Sequence, residues 1–150
     1  MGDRQENLDR GLELLSQRLG EMQVSSVYDT EPMGNINQPR FLNMVCQAYT
    51  GLAPVELLTL VKGIELKLGR AQGKPNAPRP IDIDILFYGD QVVENPGLVI
   101  PHPRLTERAF VLVPLAEIAP DFVHPVSGNA VKELLERVRE KQGVFKWESS

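Results

Sequence analysis

A chain of 150 residues with a net charge of −4 lacks the basic face that nucleic acid or an anionic membrane surface requires, so neither is an expected partner. Its 42% hydrophobic and 24% charged residues suit a single domain, 1–150, with a real core. No apolar run approaches the roughly 20 residues of a membrane span, no signal-peptide pattern opens the chain, and a lone Cys46 cannot close an internal disulfide; a cytoplasmic protein with a buried thiol is expected.

Residues 4–19 place Leu8, Leu12, Leu15 and Leu19 on one helical stripe, with Asp3 as expected N-cap and Gly20 as terminator. A strand is expected over 24–28, a turn-rich loop over 30–39, and a second strand over 41–50. One face of that second strand carries Phe41, Asn43, Val45, Gln47 and Tyr49. A second helix, 54–69, begins on Pro54 and carries Leu57, Leu58, Val61, Ile64 and Leu68 on one stripe. After a loop over 70–79, residues 80–88 read as a strand. Gly89 and Asp90 turn the chain, and 92–93 with 98–100 fit a short edge hairpin. Residues 106–119 read as helix, which Pro114 is expected to kink or divide. A last helix over 131–142 follows, and Phe145 and Trp147 are expected to cap the core from a short final strand.

The order α, β, β, α, β with helical additions fits an α+β sandwich, helices on one face of an antiparallel sheet. A split βαβ arrangement also needs a strand before the first helix, and none is legible. The expectation is therefore an incomplete sheet, or a chain that is a shortened version of a longer one.

The densest chemical signal lies at Ile81-Asp82-Ile83-Asp84-Ile85, where isoleucine and aspartate alternate at a period of two. In a strand Asp82 and Asp84 point the same way, their Cα atoms roughly 6.5 Å apart. At an effective dielectric of about 20, two such carboxylates repel by roughly 2–3 kcal/mol unless cations sit beside them. Hard divalent ions such as Mg²⁺ suit oxygen donors and commonly hold substrate phosphates as well. A plain solvated acidic face is the competing reading, because a bare Asp-x-Asp is common. Basic groups flank the strand: Arg70, Lys74 and Arg79 before it, His102, Arg104 and Arg108 after it. Each alone reads as a surface cation; together with a dicarboxylate they are the equipment of polyphosphate transfer. Other chemistries find less support. The stretch 69–74 is one residue short of a Walker A loop, no zinc spacing joins Cys46, His102 and His124, and no Gly-x-Ser-x-Gly elbow is present.

The run Ala77-Pro78-Arg79-Pro80-Ile81-Asp82-Ile83-Asp84-Ile85-Leu86 closely resembles the signature of the 6-hydroxymethyl-7,8-dihydropterin pyrophosphokinases of folate biosynthesis. Further stretches resemble that family in the same order: Gly2-Asp3-Arg4 with Asn7-Leu8, Ser26 to Pro32, Phe41-Leu42-Asn43, Pro101 to Leu105, and Arg108-Ala109-Phe110. The resemblance implies a ferredoxin-like α+β fold and transfer of the β,γ-pyrophosphate of ATP to the pterin hydroxymethyl group, leaving AMP. It implies two Mg²⁺ ions on Asp82 and Asp84. A pterin slot is implied from Thr30, Pro32, Met33, Phe41, Asn43 and Phe110. Glu65, Arg70, Arg79, Ile85, His102 and Arg108 match nucleotide-side positions, with Arg70 and Arg79 among the catalytic groups. A monomer or weak homodimer is expected. This chain departs from the family in lacking the opening strand and its Gly-Ser-Asn turn, and in having Asn76 where a Trp can stand. The alternatives from other classes are an inactive pterin-binding domain and a ferredoxin-like interaction module.

Overall fold

A computed structural model describes residues 4–30, 41–71, 81–138 and 144–146, without the side chains of Arg70 and Ala71. Helix α1, Arg4–Leu19, ends where Gly20 adopts φ +79° and its N–H closes on the Ser16 carbonyl at 2.8 Å. Helix α2, Pro54–Ala71, starts with the Ala53 N–H donating to the Glu56 carboxylate at 2.7 Å, which satisfies one of the free amides of a helix start. Leu15 of α1 and Val61, Ile64 and Leu68 of α2 bury one another, as their spacing predicts. Asp3 lies outside the described residues.

The two expected strands of 24–28 and 41–50 are each interrupted. Strand β1, Met22–Val24, pairs antiparallel with β4, Cys46–Ala48; β2, Tyr28–Thr30, pairs with β3, Phe41–Asn43. Val24 faces Cys46 and Tyr28 faces Asn43, so residues 25–27 stand opposite 44 and 45 alone. The extra residue is a bulge, and Ser25 fills it. Its N–H donates to the Val45 carbonyl at 2.8 Å, and its hydroxyl oxygen accepts the Val45 N–H at 2.9 Å. A side chain thus completes the ladder where the register slips. Strand β7, Val144–Lys146, adds to the other side of β2. Phe145 in it is 55% exposed and does not cap the core; Val144 packs there instead. Trp147 lies outside the described residues.

Residues 81–88 are the chief correction. Among the described residues they have no ladder partner and form no strand, although their alternation survives: Asp82 and Asp84 are exposed, the isoleucines half-buried. Alternation is written in the side chains, whereas a strand also needs a neighbour for its backbone. Single tethers replace the ladder. The Ile83 N–H donates to the Glu65 carboxylate at 2.6 Å, and the Leu86 carbonyl accepts the His102 N–H at 2.9 Å. Ile81, Ile83 and Ile85 pack into the α1/α2 core, and bare Gly11 permits it: a Cβ there would lie 2.8 Å from Ile81 Cδ1.

The edge hairpin forms from β5, Val93–Asn95, and β6, Leu98–Ile100, turning at Gly97 with φ +84°. One 3₁₀ turn, Leu105–Glu107, then precedes α3, Ala109–Ile118. The expected division at Pro114 is absent, and the break falls at Arg108, whose φ −115° and ψ 101° are extended. Helix α4 is Val131–Val138, with 139–142 outside the described residues. It packs on α3 through Leu112, Leu115, Leu134 and Val138, a second core that also takes Leu86 and Phe87. The architecture is α+β with antiparallel pairings throughout.

Glu65 is 1% exposed, its carboxylate also 3.4 Å from Lys62 Nζ. Glu65→Ala strands the Ile83 amide and is expected to cost about 1–3 kcal/mol in denaturant unfolding, with Glu65→Gln losing less because it keeps an acceptor. Equal stability of Glu65→Ala and the parent chain would show that the amide has another partner.

His124 is buried, and its Nδ1 accepts the N–H groups of Val126 at 3.2 Å and Ser127 at 3.1 Å. Burial lowers its pKa below the ordinary 6.5. The unfolded chain then binds more protons just below pH 6.5, so stability rises with pH through that window and is lost as pH falls below it. Unfolding midpoints measured from pH 7 to 5 are expected to drop. His124→Asn, which keeps an acceptor for the turn without a titrating ring, should flatten part of that drop.

Candidate active site

The isoleucine side of 81–85 is taken up by α1 and α2, which leaves Asp82 and Asp84 facing the other way. Leu86 and Phe87, which follow Asp84, pack into the core that includes Leu105 and Ala109 at the start of α3. His102 stands between Pro101 and Pro103, fixed by its backbone bond to Leu86. Its Nδ1 accepts the Arg104 N–H at 3.3 Å, so a neutral ring carries its proton on Nε2. Burial lowers the His102 pKa first; Asp84 opposes that shift, while Arg108 and Arg104 add to it. Asp84 and Arg108 thus both lie within electrostatic reach of His102.

Arg108 also reaches the second group of predicted residues. Its Cζ lies 5.5 Å from the Phe110 ring centroid, a cation–π distance. The break at Arg108 stands beside a residue pair whose charge acts on His102 and whose aromatic ring meets Phe41 of β3. There Thr30, fully buried, donates its hydroxyl to Asn43 Oδ1 at 3.1 Å, and Asn43 Nδ2 donates to the Phe110 carbonyl at 2.5 Å. An asparagine amide offers two N–H groups and two lone pairs. These two bonds use one of each, which leaves a donor and an acceptor side by side for a ligand. Phe41 and Phe110 meet edge to face, centroids 5.2 Å apart at 89°. A flat ligand sandwiched between both faces would require one ring to turn.

Glu65 and Ile85, both matched to nucleotide-side positions, face inward here. Glu65 brackets the carboxylate segment from behind, and Ile85 packs against α1 and α2. Pro32, Met33, Arg79 and the Arg70 side chain lie outside the described residues. Among the described residues no three His, Cys, Asp or Glu side chains gather as a metal cage. Two exposed carboxylates fit the donor chemistry of a hard ion that takes its remaining ligands from water and phosphate, and Mg²⁺ is such an ion. No helix of the described residues is long and apolar enough to cross a membrane.

One cluster escaped the sequence reading. Glu117, near the end of α3, accepts the Tyr28 hydroxyl at 2.8 Å, the Ser26 hydroxyl at 2.8 Å and the Ser26 N–H at 3.0 Å. Burial pushes the Glu117 carboxyl up, but the bonds from Tyr28 and Ser26 outweigh it and hold the group below its ordinary value. Burial and the same carboxylate raise the Tyr28 hydroxyl to about 12. The clamp fastens α3 to β2, and so Phe110 to Thr30. Its only sequence signal was an acidic residue inside the apolar run 109–118.

The family model for 7,8-dihydro-6-hydroxymethylpterin-pyrophosphokinase (HPPK) matches residues 1–120. The 2-amino-4-hydroxy-6-hydroxymethyldihydropteridine pyrophosphokinase of Aquifex aeolicus is 41% identical over 133 residues, 89% of this chain and 83% of that protein. Its counterpart in Bacillus subtilis is 39% identical over 149 residues, 98% of this chain and 84% of that protein. The folic acid synthesis protein fol1 of Pneumocystis carinii is 43% identical over 117 residues, 78% of this chain. The matched part is only 16% of that much longer relative. The chain belongs to the 7,8-dihydro-6-hydroxymethylpterin-pyrophosphokinase family.

Proposed function

We propose that the chain transfers the β,γ-pyrophosphate of ATP to the hydroxymethyl group of 6-hydroxymethyl-7,8-dihydropterin, a step of folate biosynthesis. Membership of the family supports the reaction. The observation that carries its assignment to particular residues is the continuous run from Asp84 through His102 and Arg108 to Phe110, Asn43 and Thr30. It joins a carboxylate and cation end, suited to a triphosphate, to an amide and aromatic end, suited to a flat polar ring. The pairing of the β1–β4 hairpin with helices α1 and α2 is the part that a ferredoxin-like sandwich would contain, and we place the chain in that fold. An inactive binding domain is not favoured, because the stand-alone relatives are named as pyrophosphokinases.

In the transfer, the pterin hydroxymethyl oxygen attacks the β-phosphorus of ATP. The bond from that phosphorus to the α,β-bridging oxygen breaks, AMP departs, and the hydroxyl proton is released. Asp82 and Asp84 would hold Mg²⁺, which when bound neutralises the triphosphate and polarises the phosphoryl group. The repulsion between the two carboxylates is what makes that position receptive to cations. His102, neutral with its proton on Nε2, serves as a hydrogen-bond donor to a phosphate oxygen rather than as a base. Arg70 and Arg79 supply guanidinium forks for the charge that develops on AMP. Asn43 and Thr30 read the pterin edge, and Phe41 and Phe110 cover its faces once one of the two rings has turned. Glu65 acts from behind, by holding the segment that carries the aspartates.

Asp82→Ala and Asp84→Ala are each expected to abolish AMP formation while the melting temperature without ligand stays level or rises, since one carboxylate of a repelling pair is gone. Turnover at the parent rate in either variant would remove the aspartates from the site. Phe110→Ala is expected to weaken pterin binding by about tenfold or more and a non-hydrolysable ATP analogue far less, as read by paired calorimetric titrations. Equal losses for both ligands would mean that the pterin slot lies elsewhere.

A further inference from the structure

Pro114 sits fully buried at the sixth position of α3, and the helix passes through it without a break. In an α-helix the carbonyl of residue i accepts the N–H of residue i+4. The Phe110 carbonyl would therefore be taken by residue 114, but proline has no N–H, and its ring pushes that carbonyl aside. A part-buried carbonyl left without a helical donor is stabilised by a partner from outside the helix. Asn43 does so: its Nδ2 donates to the Phe110 carbonyl at 2.5 Å.

The consequence reaches the ligand face of Asn43. An asparagine amide is nearly symmetric in shape, and a flip about its last torsion exchanges its oxygen for its NH₂. Thr30, the other partner, cannot decide between the two orientations, because a hydroxyl can donate to the oxygen or accept from the nitrogen. A carbonyl can only accept. The Phe110 carbonyl therefore breaks the symmetry, and with proline at 114 no helical N–H competes for it.

We propose that Pro114 is a positioning residue for pterin recognition: by withholding its N–H it fixes the direction of the Asn43 amide, and so which atom of the slot donates and which accepts. This rests on the pterin slot proposed above. A ligand ring with an ordered edge of donors and acceptors binds well to one amide orientation and meets like against like in the other. The cost of such a mismatch in a buried site is high, which makes the polarity of one amide a specificity determinant.

The test is Pro114→Ala, whose restored N–H competes for the Phe110 carbonyl, with Pro114→Val as a bulkier variant should alanine impair folding. Binding of 6-hydroxymethyl-7,8-dihydropterin and of a non-hydrolysable ATP analogue is titrated separately, in the full chain, beside the melting temperature. The expected result is a pterin Kd about tenfold higher, an unchanged analogue Kd, and a fold that melts within a few degrees of the parent. In the Asn43→Ala background the same change at 114 is expected to add nothing, because its effect runs through the amide. Parent-like pterin affinity in Pro114→Ala, or an additive loss on top of Asn43→Ala, would overturn the proposal while leaving the function intact. Parallel losses for both ligands with a lowered melting temperature would reduce Pro114 to a packing residue. A parent chain that binds no pterin would instead remove the slot itself, and with it this inference.

Discussion

Residues 81–88 are gripped by two cores at once, and the rest of the structure is arranged to make that possible. Three isoleucines enter the α1/α2 layer, Leu86 and Phe87 enter the α3/α4 layer, and the aspartates are left outside both. Full burial of a large aliphatic side chain contributes roughly 1.5–3 kcal/mol, and each of these half-buried side chains contributes a part of that. The carboxylates are thus held in place by their neighbours in sequence, without being buried themselves. That separation matters for a polyanion site, since carboxylates taken out of water would lose their charge or require permanent partners.

Two side chains then compensate for irregular backbone close to the site. Ser25 restores the hydrogen bonding that the bulge at 25–27 removes, and Asn43 satisfies the carbonyl that Pro114 leaves free. Both work by the same rule: a buried peptide group must find a partner, and a polar side chain serves when backbone cannot. The two devices stand on the paired strands β1/β2 and β3/β4, and Glu117 ties the same strands to α3. The Thr30–Asn43–Phe110 end of the candidate site is therefore held by hydrogen bonds, whereas the carboxylate segment is held mainly by apolar packing with single hydrogen-bond tethers. A mutation in the first should change ligand selectivity, and one in the second should change stability and catalysis together.

Residues whose meaning is local were legible before any coordinates. Leu15, Val61, Ile64 and Leu68 carry a helical period and form a helix interface; Gly20 ends α1 and Gly89 turns the chain because glycine alone tolerates positive φ cheaply. The exposed Asp82 and Asp84 follow from a period of two. Where the reading failed, the deciding partner lay far along the chain. Ladder pairing of 81–88 depends on a neighbouring strand, the bulge at Ser25 depends on register against Val45, and the donor for the Phe110 carbonyl that Pro114 leaves without a helical one comes from Asn43, far back along the chain. The bond by which buried Glu65 holds the Ile83 amide was not legible from its position, and Glu117 did not register at all. Side-chain periodicity and turn chemistry act over a few residues, so they are written in the order of amino acids. Which carbonyl lacks a donor, and which amide comes to fill it, exists only once distant segments have packed together.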